Sequence, residues 1–333
     1  METLSMKKIT FIFVLVLISA VCIFAENSQQ YILNFLEEFE LDEYSMVTQY
    51  FAADIYQNDV LYQKIDTSRY FNGLSDFEKL LMLDDAIYDI TLDYSKMFGI
   101  AYSLTAANHD IKYSALYITP TTTLVIPHTE TFLTREIAGA IPETMHTYRF
   151  NTFVNTNQSA KTQVDGIYGL LNEMNAYYHW FVVSGYRLEY LYNNDGTPGE
   201  YIQIMREIYN QAFAFKELKY YSVMYLQYAK EHHPEIYKEL LNNRVFCRAY
   251  GVIINYWDSW SSDCGSGVTS IQRLLHDNYG INYIKRDDDI LFTTKNGTQY
   301  IVRTFQQQYL AIENELDQIK AFQILSEIDN NAE

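Results

Sequence analysis

Five prolines and thirteen glycines are spread over 333 residues, so the chain has few places to stop a helix or form a flexible linker. Apolar residues recur at helical intervals along most of it, which predicts long helices. Ile32, Phe35, Leu36 and Phe39 mark the first, over 28–49, and a second helical stretch runs into Ile65. Ser75-Asp76-Phe77-Glu78 reads as a capping box: the serine hydroxyl accepts from the amide three residues on, and the glutamate reaches back. It opens a helix through about Ala107, with Leu80, Leu83, Ile87 and Ile90 as its buried stripe.

Ile111–Thr119 and Thr122–Pro127 are β-branched and aromatic on either side of Pro120, which predicts two short strands around a turn. Helix is expected again from a cap at Thr129 or Thr131 through Ala140, then to about Val154, and from Ser159 through Leu191. Asn193–Gly199 is the clearest turn, placing a boundary between an N-terminal helical region (26–194) and a C-terminal one (195–333) packed together as one unit. Helices follow over 200–231 and 233–261, with His232 and His233 leading into Pro234 as a helix start. A break at Cys264–Gly267 precedes a shorter helix over 271–279. Asp289–Thr294 and Gln299–Thr304 flank an Asn296-Gly297 turn and form a hairpin, before a last helix over 305–328. The class is α+β, mainly α-helical with two short β-hairpins.

At the N-terminus, Lys7 and Lys8 precede an apolar run, Ile9–Phe24, that ends at Ala25 and turns polar at Glu26, the pattern of a cleaved export signal. An uncleaved anchor is the alternative, as is a lipoprotein at Cys22, although Val21 stands where a small residue is wanted. Cleavage puts the protein in a periplasmic or extracellular setting. The formal charge is −18, and loss of Glu2, Lys7 and Lys8 leaves −19 on residues 26–333. Such a chain repels phosphate backbones and anionic lipid, which argues against nucleic-acid partners. No later apolar run is long enough to span a membrane. Cys247 and Cys264 are the cysteines that survive cleavage and form a candidate disulfide. On one straight helix they would lie roughly 25 Å apart, so a bridge requires the chain to turn back, near Gly251 or Asp263.

Thirty-one tyrosines suit a sugar- or peptide-binding surface, yet most fall at helical spacings, such as Tyr177, Tyr186 and Tyr190 with Phe181, and read as packing. Trp257 and Trp260 share a helical face and offer either core or a stacking platform. Asp287-Asp288-Asp289 lacks the alternating ligands of a calcium loop and reads as a solvated turn.

Arg135-Glu136-Ile137-Ala138-Gly139 is followed by Asn172-Glu173-Met174-Asn175-Ala176-Tyr177, with Glu173 34 residues after Gly139. Together these resemble the core of a glutamate-type zincin metallopeptidase, in which an HExxH helix supplies two zinc ligands and a base and a later helix the third ligand. The resemblance implies Glu136 as the base and Glu173 as the third ligand, with a strand before the first helix and Glu173 on a second. Both histidine positions are replaced, by Arg135 and Gly139, so it implies a metal-free pseudoenzyme in which Arg135 pairs with Glu173 or Glu136 in place of the cation. His128, His146 and His179 lie in the same region without ligand spacing, as binding candidates. No nucleophile elbow, P-loop or dinucleotide turn is present, and no cofactor is expected. The expected function is an exported, non-catalytic binder of a protein, peptide or glycan. The alternatives are an exported hydrolase using two of Glu130, Glu136, Glu143 and Glu173, or a glycan module using Trp257, Trp260 and the tyrosines.

Overall fold

The computed structural model describes residues 28–39, 41–106 and 110–332, the side chains of 262–264 excepted. The export signal, Cys22 and the start at Glu26 lie outside the described residues. The protein is α+β and mainly helical, with antiparallel sheets of two, two and three strands. Among the described residues no helix is long and apolar enough to cross a membrane.

The first predicted helix is two, α1 (28–38) and α2 (Asp42–Ala52), and the stretch running into Ile65 contains a small hairpin, β1 (Tyr56–Gln57) with β2 (Val60–Leu61). Asn58 and Asp59 form its tip, both at positive φ, a turn conformation that asparagine and aspartate tolerate. After a short α3 (Ser68–Phe71), α4 (Asp76–Thr105) opens on the expected capping box. Ser75 Oγ accepts from the Glu78 amide at 3.4 Å, and the Glu78 carboxylate accepts from the Ser75 amide at 2.8 Å. Leu80, Leu83, Ile87 and Ile90 are buried as expected. β3 (Tyr113–Thr119) and β4 (Thr122–Pro127) form the predicted pair, with Ser114 opposite Ile126.

Residues 128–160 depart from expectation. They form only 3₁₀ turns (Thr134–Gly139 and Glu143–Met145) and a π-helical turn (Phe150–Val154). Many of their backbone amides bond nearby carbonyls in short turns, and three bond distant side chains: Phe132 N–H to Tyr225 Oη at 2.9 Å, Arg135 N–H to Gln163 Oε1 at 3.0 Å, and Arg149 N–H to Glu217 Oε1 at 3.1 Å. The buried amides are thus satisfied without an α-helix. The next predicted helix is interrupted at Gly166 (φ +54°), between α5 (Lys161–Val164) and α6 (Ile167–Asn193). A side chain there would meet Tyr225 Oη at 2.6 Å and the Phe132 carbonyl at 2.8 Å.

The Asn193–Gly199 turn joins α6 to α7 (Pro198–His232), which make the most extensive contact of any two elements. The helix expected over 233–261 is divided at Asn243, whose side chain caps the next helix: α8 begins at Pro234 as expected and ends at Asn242. α9 (Arg244–Tyr279) runs unbroken through Cys264–Gly267 because Val268, Ile271 and Leu275 continue the buried face set by Ile253 and Trp257. Packing of that face outweighs the poor helix propensity of two glycines. One continuous helix holds Cys247 and Cys264 roughly 25 Å apart, so they are not bridged, and Cys247 is a buried free thiol.

The C-terminal hairpin, β6 (Asp289–Thr293) with β7 (Gln299–Arg303), is joined by an unpredicted edge strand, β5 (Asn282–Lys285). At its turn only Gly297 takes a positive φ, +86°. The last helix divides into α10 (Gln306–Gln318) and α11 (Ala321–Ala332), with Lys320 at positive φ between them. A single apolar core extends from Ile32 to Ile328 across the predicted boundary. Trp257 lies within it, stacked on Phe181 and Phe215 with centroids 4.5 and 3.9 Å away, so the two tryptophans form no exposed platform.

Candidate functional site

α4 lies so close to β3 that a Cβ on Gly99 would come within 2.2 Å of the Tyr113 carbonyl oxygen. Beside this contact α4, β3, α5 and α6 enclose a cavity of about 280 Å³. Ser114 and Asn172 line its floor, and Lys96, Lys112 and Lys161 stand exposed around it. A larger cavity of about 470 Å³ lies between α1 and the end of α3 and has Lys79 as its one charged wall residue among those described.

A hydrogen-bonded chain runs beneath the lysines. Ser95 Oγ donates to Asn172 Oδ1 at 2.8 Å, Asn172 Nδ2 donates to Ser114 Oγ at 3.1 Å, and Ser114 Oγ lies 2.8 Å from His128 Nε2. His128 stacks on Tyr168 with centroids 4.1 Å apart. Burial pushes its imidazole down to about 4, with Asp165 opposing and Lys112 reinforcing the shift, so His128 is neutral at pH 7. The Ser114–His128 contact has the form of a nucleophile and its base. A histidine held so low is a weak base at neutral pH, and the Asn172 amide already occupies an Oγ lone pair needed for attack. The arrangement therefore suits holding a ligand better than attacking one.

The lysines differ in their partners. Lys112 pairs with the buried Asp165, and Lys96 stands 5.3 Å from the centre of the Tyr62 ring. Surrounding protein, and then the like charge of Lys96, hold the Lys161 ammonium below the usual lysine range, with Glu173, Asp93 and Asp165 opposing.

Glu173 follows Asn172 and, about 100° further around α6, faces away from the cavity toward Tyr88, whose hydroxyl donates to it. Burial raises its carboxyl to about 7, against the opposing effects of the Tyr88 hydrogen bond and Lys161. Nearby, the Arg149 guanidinium donates to Glu217 at 2.7 Å and to Tyr177 Oη at 3.3 Å.

The other predicted site residues are dispersed. Arg135 and Glu136 are exposed on the 3₁₀ turn, where three residues per turn prevent positions 135 and 139 from stacking as an α-helical i, i+4 pair. Arg135 donates to the Thr156 carbonyl and, among the described residues, makes no ion pair, so the expected pairing with Glu136 or Glu173 is not formed. Glu136 instead lies 3.2 Å from His233. His146 stacks on Phe150, its Nε2 lying 3.2 Å from the Ile141 carbonyl. His179 is buried between Glu43, at 2.7 Å, and the Tyr117 carbonyl, at 3.2 Å. Glu130 and Glu143 are exposed, which leaves Glu173 as the one buried member of the four carboxylates considered for hydrolysis. Asp288 caps α10 by accepting from the Gln307 amide at 2.8 Å. Among the described residues no three histidine, cysteine or acidic side chains gather as metal ligands.

Ser114, Asn172 and the three lysines were not singled out from sequence. A serine inside the apolar strand Tyr113–Ile118, and an asparagine adjoining the already suspect Glu173, were the available signals. Compared with known proteins, the chain matches no protein-family model, no curated protein and no solved structure.

Proposed function

We propose that this protein is an exported, non-catalytic binding protein whose ligand is a small anion, a carboxylate or phosphate compound, held in the cavity between α4, β3, α5 and α6. The observation that carries this reading is the gathering of Lys96, Lys112 and Lys161 around one cavity, with Asp165 as the one acidic residue among its described lining, in a chain with 42 acidic and 24 basic side chains. Mutual repulsion of Lys96 and Lys161 is relieved by a bound anion, and the Asn172 amide supplies a directional donor at the floor. The acidic remainder of the surface keeps polyanions away, so the ligand is small enough to enter alone.

Isothermal titration of the full-length protein with inorganic phosphate and with citrate tests this. Binding should weaken with added salt, fall about tenfold or more in Lys161→Met, and fade at alkaline pH below the usual lysine range. Heat signals absent for both anions at low ionic strength, or unchanged in Lys161→Met and Lys96→Met, would remove the proposal.

A further inference from the structure

A third cavity, of about 380 Å³, opens between α6 and α9, roughly 20 Å along α6 from Asn172. Its walls are Tyr186, Tyr192 and Trp260, with Leu188 and Ile271 between them. The Trp260 indole lies over Gly185, where a Cβ would come within 3.0 Å of Cζ2, and stacks on Tyr186 with centroids 5.4 Å apart at 21°. Tyr192 is 61 % exposed at the mouth. Gly267, inside α9, has open space beside it, so the missing side chain there keeps the cleft clear.

The electrostatics of this cleft are opposite to those of the lysine pocket. Glu189 is the one charged side chain among the described lining residues. Asp42 and Glu43 add to the negative field at Tyr186, whose hydroxyl is held above its usual range by burial first and then by Glu43, Glu189 and Asp42. Aromatic ring faces carry partial negative charge and attract cations, most strongly when water is excluded. The walls also carry the Tyr186 and Tyr192 hydroxyls and the Trp260 indole N–H, and the Ser270 hydroxyl already donates to the Ser266 carbonyl at 3.0 Å; the one full charge that a ligand meets among the described lining residues is the negative one of Glu189, which favours a cation over a neutral saccharide. A neutral apolar ligand would cover the Glu189 carboxylate without compensating it.

We propose that the α6–α9 cleft binds an organic cation of the quaternary ammonium class, with its alkyl groups against Tyr186, Tyr192 and Trp260 and its charge offset by Glu189. The test uses the full-length protein, with choline and its uncharged isostere 3,3-dimethylbutan-1-ol as probes, followed by calorimetry and tryptophan fluorescence. Choline should bind about tenfold or more tightly than the isostere. Glu189→Gln should weaken choline several-fold without changing the isostere. Gly267→Leu, which fills the open space, should abolish choline binding while leaving the melting temperature near that of the wild type. Lys161→Met should leave choline binding unchanged, which separates this site from the anion pocket. Equal affinity for the two probes, binding of neither, binding of methyl glucoside in place of choline, or full choline binding in Gly267→Leu would each overturn the assignment.

Discussion

Arg187→Met tests the interior charge cluster most directly. The Arg187 side chain is fully buried. Its guanidinium donates to the Leu80 carbonyl at 3.1 Å, the Leu81 carbonyl at 2.8 Å and Glu207 at 2.5 Å, and forms an ion pair with Asp84 at 2.8 Å. Methionine preserves much of the volume but leaves two carboxylates uncompensated. Removing one partner of a buried ion pair costs about 3–5 kcal/mol. Asp84 would keep two donors, Ser184 Oγ and Gln211 Nε2, each at 2.9 Å, and Glu207 is 26 % exposed and can take up water. The lower part of the range is therefore expected, about 3–4 kcal/mol, or about 4–6 °C in melting temperature for a chain of this size.

The deficit should also depend on pH. Burial and the charge of Asp84 push the Asp85 carboxyl up to about 7 despite Arg187, and burial likewise raises Glu207. A carboxyl raised in the folded state holds its proton where the unfolded chain has released it, so stability falls as pH rises through that window. Loss of the guanidinium raises Asp85 further; below about pH 7 the carboxyl is protonated in both folded proteins, so the deficit should grow as pH rises above about 7. Urea denaturation followed by circular dichroism at several pH values measures both effects. A variant within about 1 kcal/mol of wild type, or a deficit independent of pH, would refute the argument.

Glu173 predicts a second pH dependence. With its carboxyl raised to about 7, stability should drop by up to about 3 kcal/mol from pH 5 to 8, and Glu173→Gln should flatten that part of the profile. Tyr88→Phe removes the hydroxyl that donates to Glu173 and should destabilise by about 1–3 kcal/mol at pH 8 and by less at pH 5, read from the same melts. Peptide mapping without reductant should recover no Cys247–Cys264 peptide, and Cys247 should react with a thiol reagent only after unfolding, since burial also raises its thiol to about 11. Protein purified without chelator or histidine tag should carry far less than one equivalent of zinc by plasma mass spectrometry, because the described residues gather no ligand cluster.

What was legible in the sequence was local. The Ser75–Glu78 box, the strands around Pro120 and the Asn193–Gly199 turn each depend on residues within hydrogen-bonding reach along the chain, and each formed. Thr197 and Glu200 make a second capping box that the same reasoning could have found. Residues 128–160 failed as a helix in part because Tyr225, Gln163 and Glu217, which satisfy the amides of Phe132, Arg135 and Arg149, arrive from elsewhere in the chain. The glycines at 265 and 267 suggested a break, but the apolar face of α9 on both sides decided otherwise. The lysine cavity draws Lys96, Lys112, Lys161 and Asn172 from four elements or their edges, and no spacing rule connects them. The zincin resemblance drew attention to Glu173 while missing its neighbour Asn172, the residue that faces the cavity.

The unbroken length of α9 has a consequence for biosynthesis. At about 1.5 Å per residue its 36 residues make a rod roughly 54 Å long that touches β4 at one level and α6, α7, β5 and α11 at others. The strands made early thus wait for a girder made late, which is itself covered by the last helix of the chain. A ribosome that has released only the first two hundred residues has produced a piece whose β4 and α6 surfaces are still bare. Closure of the interior is set by the arrival of the C-terminal third, so a truncation just after the Asn193–Gly199 turn should yield aggregate instead of a smaller stable protein.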